Sequence, residues 1–325
     1  MRNFIAKAFI AIAALACGSH ALAQDYPTRP ITIVVPAPPA GATDVLARVL
    51  ADELGKSMKQ AVIVDNKPGA SGMLGASVVA RAQPDGYTIL LTHAAPIYYA
   101  QHMFNKVPYD VRRDFAFITE ICSASLVFAV NKDVPARNMK EFIAWAQTNK
   151  GKVNYGSYGV GSASHLLSAH LSESRKLDMT HVAYKGEAPM VQDMIAGQIP
   201  VSIGTMGTMA PHIASGSLKP LAIIGDRRLP ELPNVPTMAE AGFPDEEFKL
   251  VGGVMVMAPA KTPPAILARL EKETRAAVQS VAMKARFQAF GLLGMGNSSA
   301  EFRKNFEASG PMIERLVQVS GAKVD

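Results

Sequence analysis

Two rhythms of apolar and polar positions alternate along this chain almost from end to end. Short apolar runs rich in β-branched residues read as strands: Ile31–Val35, Val62–Val64, Thr88–Leu91, Leu126–Val130, Val153–Tyr155, His181–Ala183, Val201–Ile203, Leu221–Ile224 and Val251–Met257. Between them, apolar residues recur at helical spacing, as Val45, Leu46, Val49 and Leu50 do beside Arg48 and Asp52. Several helix ends are readable. Asn138 with Glu141 and Thr237 with Glu240 have capping-box spacing, and Gly242 suits the position after the second helix. Thr262-Pro263 predicts an N-cap and first helical residue, and Ser298 with Glu301 starts the last helix. This order predicts an α/β fold with largely parallel sheets. Asp226 to Pro236, rich in Pro and Arg, is the longest loop-like stretch, and no internal repeat is visible.

Two strands are placed to cross between domains. Leu126–Val130 precedes a fresh run of βα units, and Val251–Met257 leads to Pro259 and a long helix. The expected division is residues 24–125 plus 248–325 as one domain, with 126–247 inserted as the second.

The chemistry suggested by the pattern lies where strands run into helices. Ile31–Val35 leads through Pro36-Ala37-Pro38-Pro39-Ala40-Gly41 into a helix beginning near Ala42, Thr43 and Asp44. The loop carries no cation, but the first N–H groups of a helix lack intrahelical partners and favour an anion. Val153–Tyr155 leads in the same way through Gly156-Ser157-Tyr158-Gly159-Val160-Gly161 to Ser162, Ala163 and Ser164, with Ser162 a natural N-cap. Thr92-His93 and Thr205-Met206 end two further strands. In open α/β sheets, ligands sit outside the carboxyl ends of the strands. The expected ligand-binding residues are therefore Ala37, Pro38, Ala40, Gly41, Ala42, Thr43, Asp44, Thr92, His93, Ser157, Gly161, Ser162, Ala163, Ser164, Thr205 and Met206. Gly41 and Gly161 are expected to matter equally, and the Ala70 loop is expected to lie outside the cleft.

Composition narrows the class. Arg2 and Lys7 precede the apolar stretch from Ala8 to Ala16, and Ala21-Leu22-Ala23 is a small-residue cleavage site, so residues 1–23 read as a secretory signal peptide. Cleavage after Ala23 is expected in preference to lipid attachment at Cys17, giving a periplasmic product that begins at Gln24. Cys17 leaves with the signal, Cys122 remains alone, and the remaining chain is long enough for two cores without disulfides. The net charge of +6 is scattered, with no basic stripe interleaved with aromatics, so a nucleic-acid partner is not expected.

The motifs together resemble the periplasmic solute-binding receptors of tripartite tricarboxylate transporters, the Bug-type family. The likeness covers essentially the whole chain after the signal. It rests on Tyr26-Pro27-Thr28-Arg29-Pro30, Pro39-x-Gly41-x-Thr43-Asp44, Pro68-Gly69-Ala70-Ser71-Gly72, Pro84-Asp85-Gly86-Tyr87, Tyr155-Gly156-Ser157-x-Gly159-x-Gly161-Ser162, Tyr184-Lys185-Gly186 and Val235-Pro236-Thr237-Met238. It implies a two-domain periplasmic binding protein (Venus flytrap, type II-like) with its cleft between the domains. It also implies a small organic carboxylate ligand held by amides, hydroxyls and water, and integral-membrane transporter subunits as partners. No cofactor is expected, and the chain is expected to act as a monomer. The family usually has Phe at position 37 and Gly at position 40, where this chain has Ala37 and Ala40. Ala40 would strain the loop if positive φ is required. A tryptophan frequent near the returning strand is missing, since Trp145 is the only one.

Other chemistries fit less well. Gly156-Ser157-Tyr158-Gly159 lacks the leading glycine of a nucleophile elbow, because Tyr155 stands there. Gly159-Val160-Gly161 lacks the third glycine of a dinucleotide fingerprint. His165 and His170 are five apart and do not stack on one helical face, and the methionine pairs read as core, so no metal site is expected. Asp245-Glu246-Glu247 reads as solvated surface. Lys185 can face a ligand or solvent, and Asp44 can cap its own helix or meet a ligand's amine. A ligand-sensing partner of a signalling receptor is the alternative function; a periplasmic hydrolase is a more remote one.

Overall fold

The computed structural model describes residues 26–249 and 252–323. The expected signal segment with Cys17 and Gln24 lies outside the described residues, as does Val251. The first part of the chain forms β1 (Ile31–Val35), α1 (Ala42–Met58), β2 (Val62–Asn66), α2 (Met73–Ala80), β3 (Thr88–His93), α3 (Ala100–Met103), α4 (Val111–Asp114) and β4 (Phe115–Ala124). The middle forms β5 (Leu126–Asn131), α5 (Met139–Thr148), β6 (Asn154–Ser157), α6 (Ala163–Ser174), β7 (Thr180–Ala183), α7 (Glu187–Ile195), β8 (Val201–Thr205), α8 (Met206–Ala214) and β9 (Leu218–Ile224). The last part forms β10 (Gly253–Pro259), α9 (Pro264–Val278), α10 (Val281–Phe290), β11 (Leu292–Gly294) and α11 (Ser299–Ser320).

These elements make two α/β domains, each around its own sheet. One sheet has the order β11-β4-β10-β3-β1-β2 and the other β7-β6-β8-β5-β9. The expectation of largely parallel sheets is overturned. β1 is parallel to β2 and β3, and β6 to β7 and β8. β10, however, is antiparallel to β3 and β4, and β5 is antiparallel to β8 and β9. The cause is the chain path. β4 and β5 belong to different sheets with only Ser125 between them, and β10 brings the chain back. Strands that arrive from the other domain are not closed by a βαβ crossover, so parallel pairing is not imposed.

Burial follows the apolar pattern. α1 turns Leu46, Leu50 and Leu54 fully inward, each contributing roughly 2 kcal/mol by leaving water. α11 lays Phe302 and Phe306 against Phe117 of β4 and also packs on α6. β4 was not among the expected strands, because Thr119-Glu120 interrupts its apolar run. Glu120 is accommodated by donors distant in sequence: the Tyr98 hydroxyl at 2.8 Å and the side-chain amides of Asn297 and Asn305 at 2.6 and 2.9 Å.

The helix caps vary in outcome. Ser298 and Glu301 form a complete capping box. Asn138 caps α5 through the Glu141 N–H at 2.9 Å, while the Glu141 carboxylate reaches one residue further back, to the Arg137 N–H. Thr237 and Glu240 exchange both bonds, at 2.8 and 3.2 Å, but close a single turn and not a helix. Pro236 before and Gly242, at φ 96°, after leave no room for more. α9 begins one residue later than expected, with Pro263 as N-cap.

Candidate functional site

Three junctions at which a strand leads into a helix have different occupants at the helix N-terminus. At β1–α1 the occupant is internal. The Asp44 carboxylate, 2% exposed, accepts the Ala40 N–H at 2.9 Å and the Asn66 amide at 2.9 Å, and takes two bonds from Arg48 at 3.0 Å. Burial opposes its charge, but Arg48, the Ala40 N–H and Asn66 outweigh burial and hold the carboxyl below its ordinary range. Asn66 also donates to the Ala37 carbonyl at 3.1 Å, fastening the loop. Ala40 sits at φ 68°, so the strain anticipated for a non-glycine there is present.

At β8–α8 the occupant is Glu187. Its carboxylate accepts the Thr205 N–H, the Thr205 hydroxyl at 2.8 Å and the Thr208 hydroxyl at 3.0 Å. Burial pushes its pKa up, with Thr205 and Thr208 opposing. Met206 is buried in the core of this domain.

At β6–α6 no carboxylate intervenes. Ser162 caps the helix by accepting the His165 N–H at 3.3 Å and donates to the Gly159 carbonyl at 2.7 Å. The Gly161 N–H turns back to His165 Nδ1 at 3.1 Å, with Gly161 at φ 74°. His165 stacks on His181 with ring centroids 3.7 Å apart, and Tyr155 extends the stack. Burial first, then the neighbouring His181, pulls His165 down to about 4, so its ring is a neutral acceptor at pH 7. Ser164 is internal too, bonded to the Gly156 carbonyl at 3.1 Å and to Ser202 at 3.3 Å.

The outer face of this last junction borders a cavity of about 410 Å³. Gly159, Val160, Gly161, Ser162 and Ala163 form one wall, with Tyr158 beside them. The other domain supplies His93, Ala94 and Ala95 after β3, then Tyr99, Ala100, Met103 and Phe104. Gly252 and Gly253, at the start of the returning strand, and Ser71 complete it. Ala95–Tyr99 winds as a π-helical turn, an irregularity frequent where a chain serves a ligand. A wider hollow of about 600 Å³ opens on the outer surface, among Lys150, Glu173, Lys176 and Asp178. Its mixed lysines and carboxylates are those of a solvated face.

The cavity therefore gathers His93, Gly161, Ser162 and Ala163 of the expected residues. It does not gather Ala37, Pro38, Ala40, Gly41, Ala42, Thr43 or Asp44, whose loop is largely exposed apart from buried Asp44. Thr92 is buried and donates to the His93 carbonyl at 3.0 Å. Ser157 is buried, 2.6 Å from His181 Nε2. This serine–histidine contact was not foreseen, and Ser157 Oγ also bonds the Gly159 carbonyl at 3.1 Å. Thr205, Met206 and the exposed Lys185 do not line the cavity. Ser71, expected outside the cleft, does. Tyr99, Met103 and Tyr158 escaped the sequence reading because tyrosine and methionine in an apolar context carry no positional signal; the Tyr98-Tyr99 pair soon after His93 was the available hint.

One surface expectation fails. Asp245 and Glu247 are not solvated: His170, Asp245 and Glu247 cluster, with Glu247 5% exposed. Arg175 reaches Asp245 at 2.5 Å and Arg315 pairs with Glu247. The two guanidinium groups supply the positive charge a cation would bring, so the cluster is an ion-pair knot between α6, this loop and α11.

Comparison with known proteins agrees with this architecture. The family described as "Tripartite tricarboxylate transporter family receptor" matches residues 46–317. The chain is 35% identical to Protein BugT of Bordetella pertussis over 292 residues, covering 90% of this chain and 89% of that one. Among solved structures it is similar to periplasmic binding protein BugD, at 30% identity and TM-score 0.72, covering 92% and 99% of the two chains. It is also similar to R. palustris Rpa4515, solved with adipate, at 29% identity and TM-score 0.75, covering 91% and 98%. The chain belongs to the tripartite tricarboxylate transporter receptor family, a class of solute-binding receptors and not of enzymes.

Proposed function

We propose that this receptor is exported, with cleavage after Ala23, and captures a small organic carboxylate in the cavity between its two domains. It then presents the ligand to integral-membrane transporter subunits, acting as a monomer. The observation that carries the reading is the contrast among the three junctions. α1 and α8 have internal carboxylates at their N-termini, whereas α6 points a helix N-terminus without one at a cavity that both domains line. The relative solved with adipate supports a carboxylate ligand. The proposed contacts are His93, Gly161, Ser162 and Ala163. The proposed moving units are residues 24–125 with 248–325, and residues 126–247, hinged near Ser125 and Gly252. Closure excludes water and strengthens the hydrogen bonds that hold the ligand. The closed state is favoured only by the ligand's differential affinity for it.

A thermal-shift and calorimetry panel of carboxylates on the mature protein tests this. A true ligand at 100 times its dissociation constant adds about 2.7 kcal/mol of stability. NMR of the ligand should show no conversion. A panel in which no carboxylate raises the melting temperature, or in which the ligand is turned over beyond one equivalent, overturns the reading.

A further inference from the structure

Among the described residues, no Asp, Glu, Lys or Arg lines the cavity. His93 adds no charge either. Its Nδ1 accepts the Ala95 N–H at 3.2 Å, and burial lowers its pKa. The backbone donors near α6 are largely engaged as well. Gly161 gives its N–H to His165, and Ser162 gives its own to the Gly159 carbonyl. Ala163, at the first helical position, has no intrahelical acceptor for its N–H.

Two phenols remain, one from each domain. Tyr99 follows β3 and Tyr158 follows β6, and both border the cavity. Among the described residues, no acceptor within the protein takes the O–H of Tyr99 or Tyr158, so each is free to donate into the cavity. Burial raises both phenol pKa values, and Tyr99 raises that of Tyr158 further, so both are O–H donors at any physiological pH. Apart from the Ser71 hydroxyl and the Gly252-Gly253 backbone, the remaining wall is apolar: Ala95, Ala100, Met103, Phe104 and Val160.

We propose that Tyr99 and Tyr158 are the specificity-determining pair: with the Ala163 N–H they hold a single carboxylate, and the apolar wall selects a monocarboxylate with an apolar body over a dicarboxylate. The proposal rests on the receptor reading above. One carboxylate finds two hydroxyl donors and a helix N-terminus. A second carboxylate at the far end would lose its water among methionine, phenylalanine and alanine side chains, with no cation in return.

Calorimetry of the mature protein with two matched pairs tests it: hexanoate against adipate, and benzoate against terephthalate. The expected result is that at least one monoacid binds about tenfold or more tightly than its diacid partner. Tyr99→Phe and Tyr158→Phe keep each ring and remove only the hydroxyl. Each should weaken the monoacid about tenfold, the scale of one hydrogen bond to a charged group. Circular dichroism checks that the variants are folded. Tighter binding of adipate or terephthalate, or unchanged affinity in both folded variants, overturns the selectivity and leaves the receptor reading standing. Absence of heat with these four and with every acid of the wider panel overturns both.

Discussion

The β1–α1 and β6–α6 junctions share one plan: a strand, a loop without lysine or arginine, and the start of a helix. In the first, Asp44 lies within the first turn of the helix and folds back onto the Ala40 N–H, with Arg48 and Asn66 fixing it. In the second, Ser162 and His165 hold the loop with neutral groups, and the Gly159–Ala163 segment borders the cavity. An uncharged loop before a helix is therefore not by itself the mark of an anion site. What separates the two is whether the helix brings its own carboxylate within its first turn. β8–α8 follows the first pattern with a carboxylate borrowed from α7, Glu187.

The largest test of this contrast is a pair of substitutions. A β-carbon at Gly161 would overlap Met103 of the facing domain, and Gly161 is at φ 74°. A β-carbon at Gly41 would meet only the Pro38 carbonyl at 3.6 Å, with φ −73°. The equal effects expected from sequence become unequal. Gly161→Val should lower stability by about 3 kcal/mol, through left-handed strain and overlap, and weaken ligand binding at least about a hundredfold. Gly41→Val should change both by no more than about 0.5 kcal/mol. Urea denaturation and calorimetry on the two variants decide it. Equal losses of affinity would return the ligand to the first loop.

Acid should separate the junctions next. His165 is lowered to about 4 from an unfolded value near 6.5, so between these values the unfolded chain binds a proton that the folded chain refuses. Its stabilising contribution is complete above pH 6.5 and is lost as pH falls toward 4, with a ceiling of about 3 kcal/mol. Protonation also turns Nδ1 from acceptor to donor and breaks its bond to the Gly161 N–H. Asp44 has the opposite kind of shift for its type: its lowered pKa gives stability that is complete above about pH 4 and is lost only below that. Stability measured by urea denaturation should thus fall steeply from pH 7 to 4 in the wild type and more gently in His165→Gln. Identical slopes would remove His165 as the holder of the loop.

Much of this was legible in the chain. Ile31–Val35 and Ser162 as N-cap are placed by β-branching and by hydroxyl chemistry, both local properties. β5 and β10, which pair antiparallel, were legible as strands but not in their pairing, because pairing depends on which domain a strand arrives from. β4 was hidden by Glu120, whose hydrogen-bond donors lie far along the chain, at Asn297 and Asn305. The site was half legible for the same reason. Gly161, Ser162 and Ala163 announce a helix start, whereas Tyr99 and Tyr158 matter only because folding sets them around one cavity. Whether a helix end is already occupied is a side-chain fact: Asp44 is local and could be suspected, but Glu187 at α8 could not.

A smaller effect is expected from the internal anion itself. Asp44→Asn keeps the side-chain size and an acceptor for the Ala40 N–H, but removes the charge that faces Arg48 and the helix N-terminus. Arg48 is about half exposed, so the pair is screened. The expected loss is about 1 kcal/mol, mostly from the helix end and the hydrogen bonds to the buried carboxylate. Ligand affinity should stay within about twofold. A much larger loss of affinity would show that the first loop reaches the ligand when the domains close.

The smallest effect is the most direct comparison of the two loops, because Ala40 and Gly161 share a left-handed backbone, at φ 68° and 74°, and differ in having a β-carbon. An alanine there is strained by roughly 1 kcal/mol relative to glycine, and glycine returns part of that through the greater freedom of its unfolded chain. Ala40→Gly should therefore stabilise the protein by about 0.5 kcal/mol, read as a small rise in the urea midpoint without a change in slope. Ala40 is exposed and its N–H is already taken by Asp44, so affinity should not move. A gain in stability with unchanged affinity confirms that strain in the first loop is tolerated without serving the ligand. A change in affinity would mean that the strained loop shifts when the cleft closes, and the two junctions would then differ in timing and not in role.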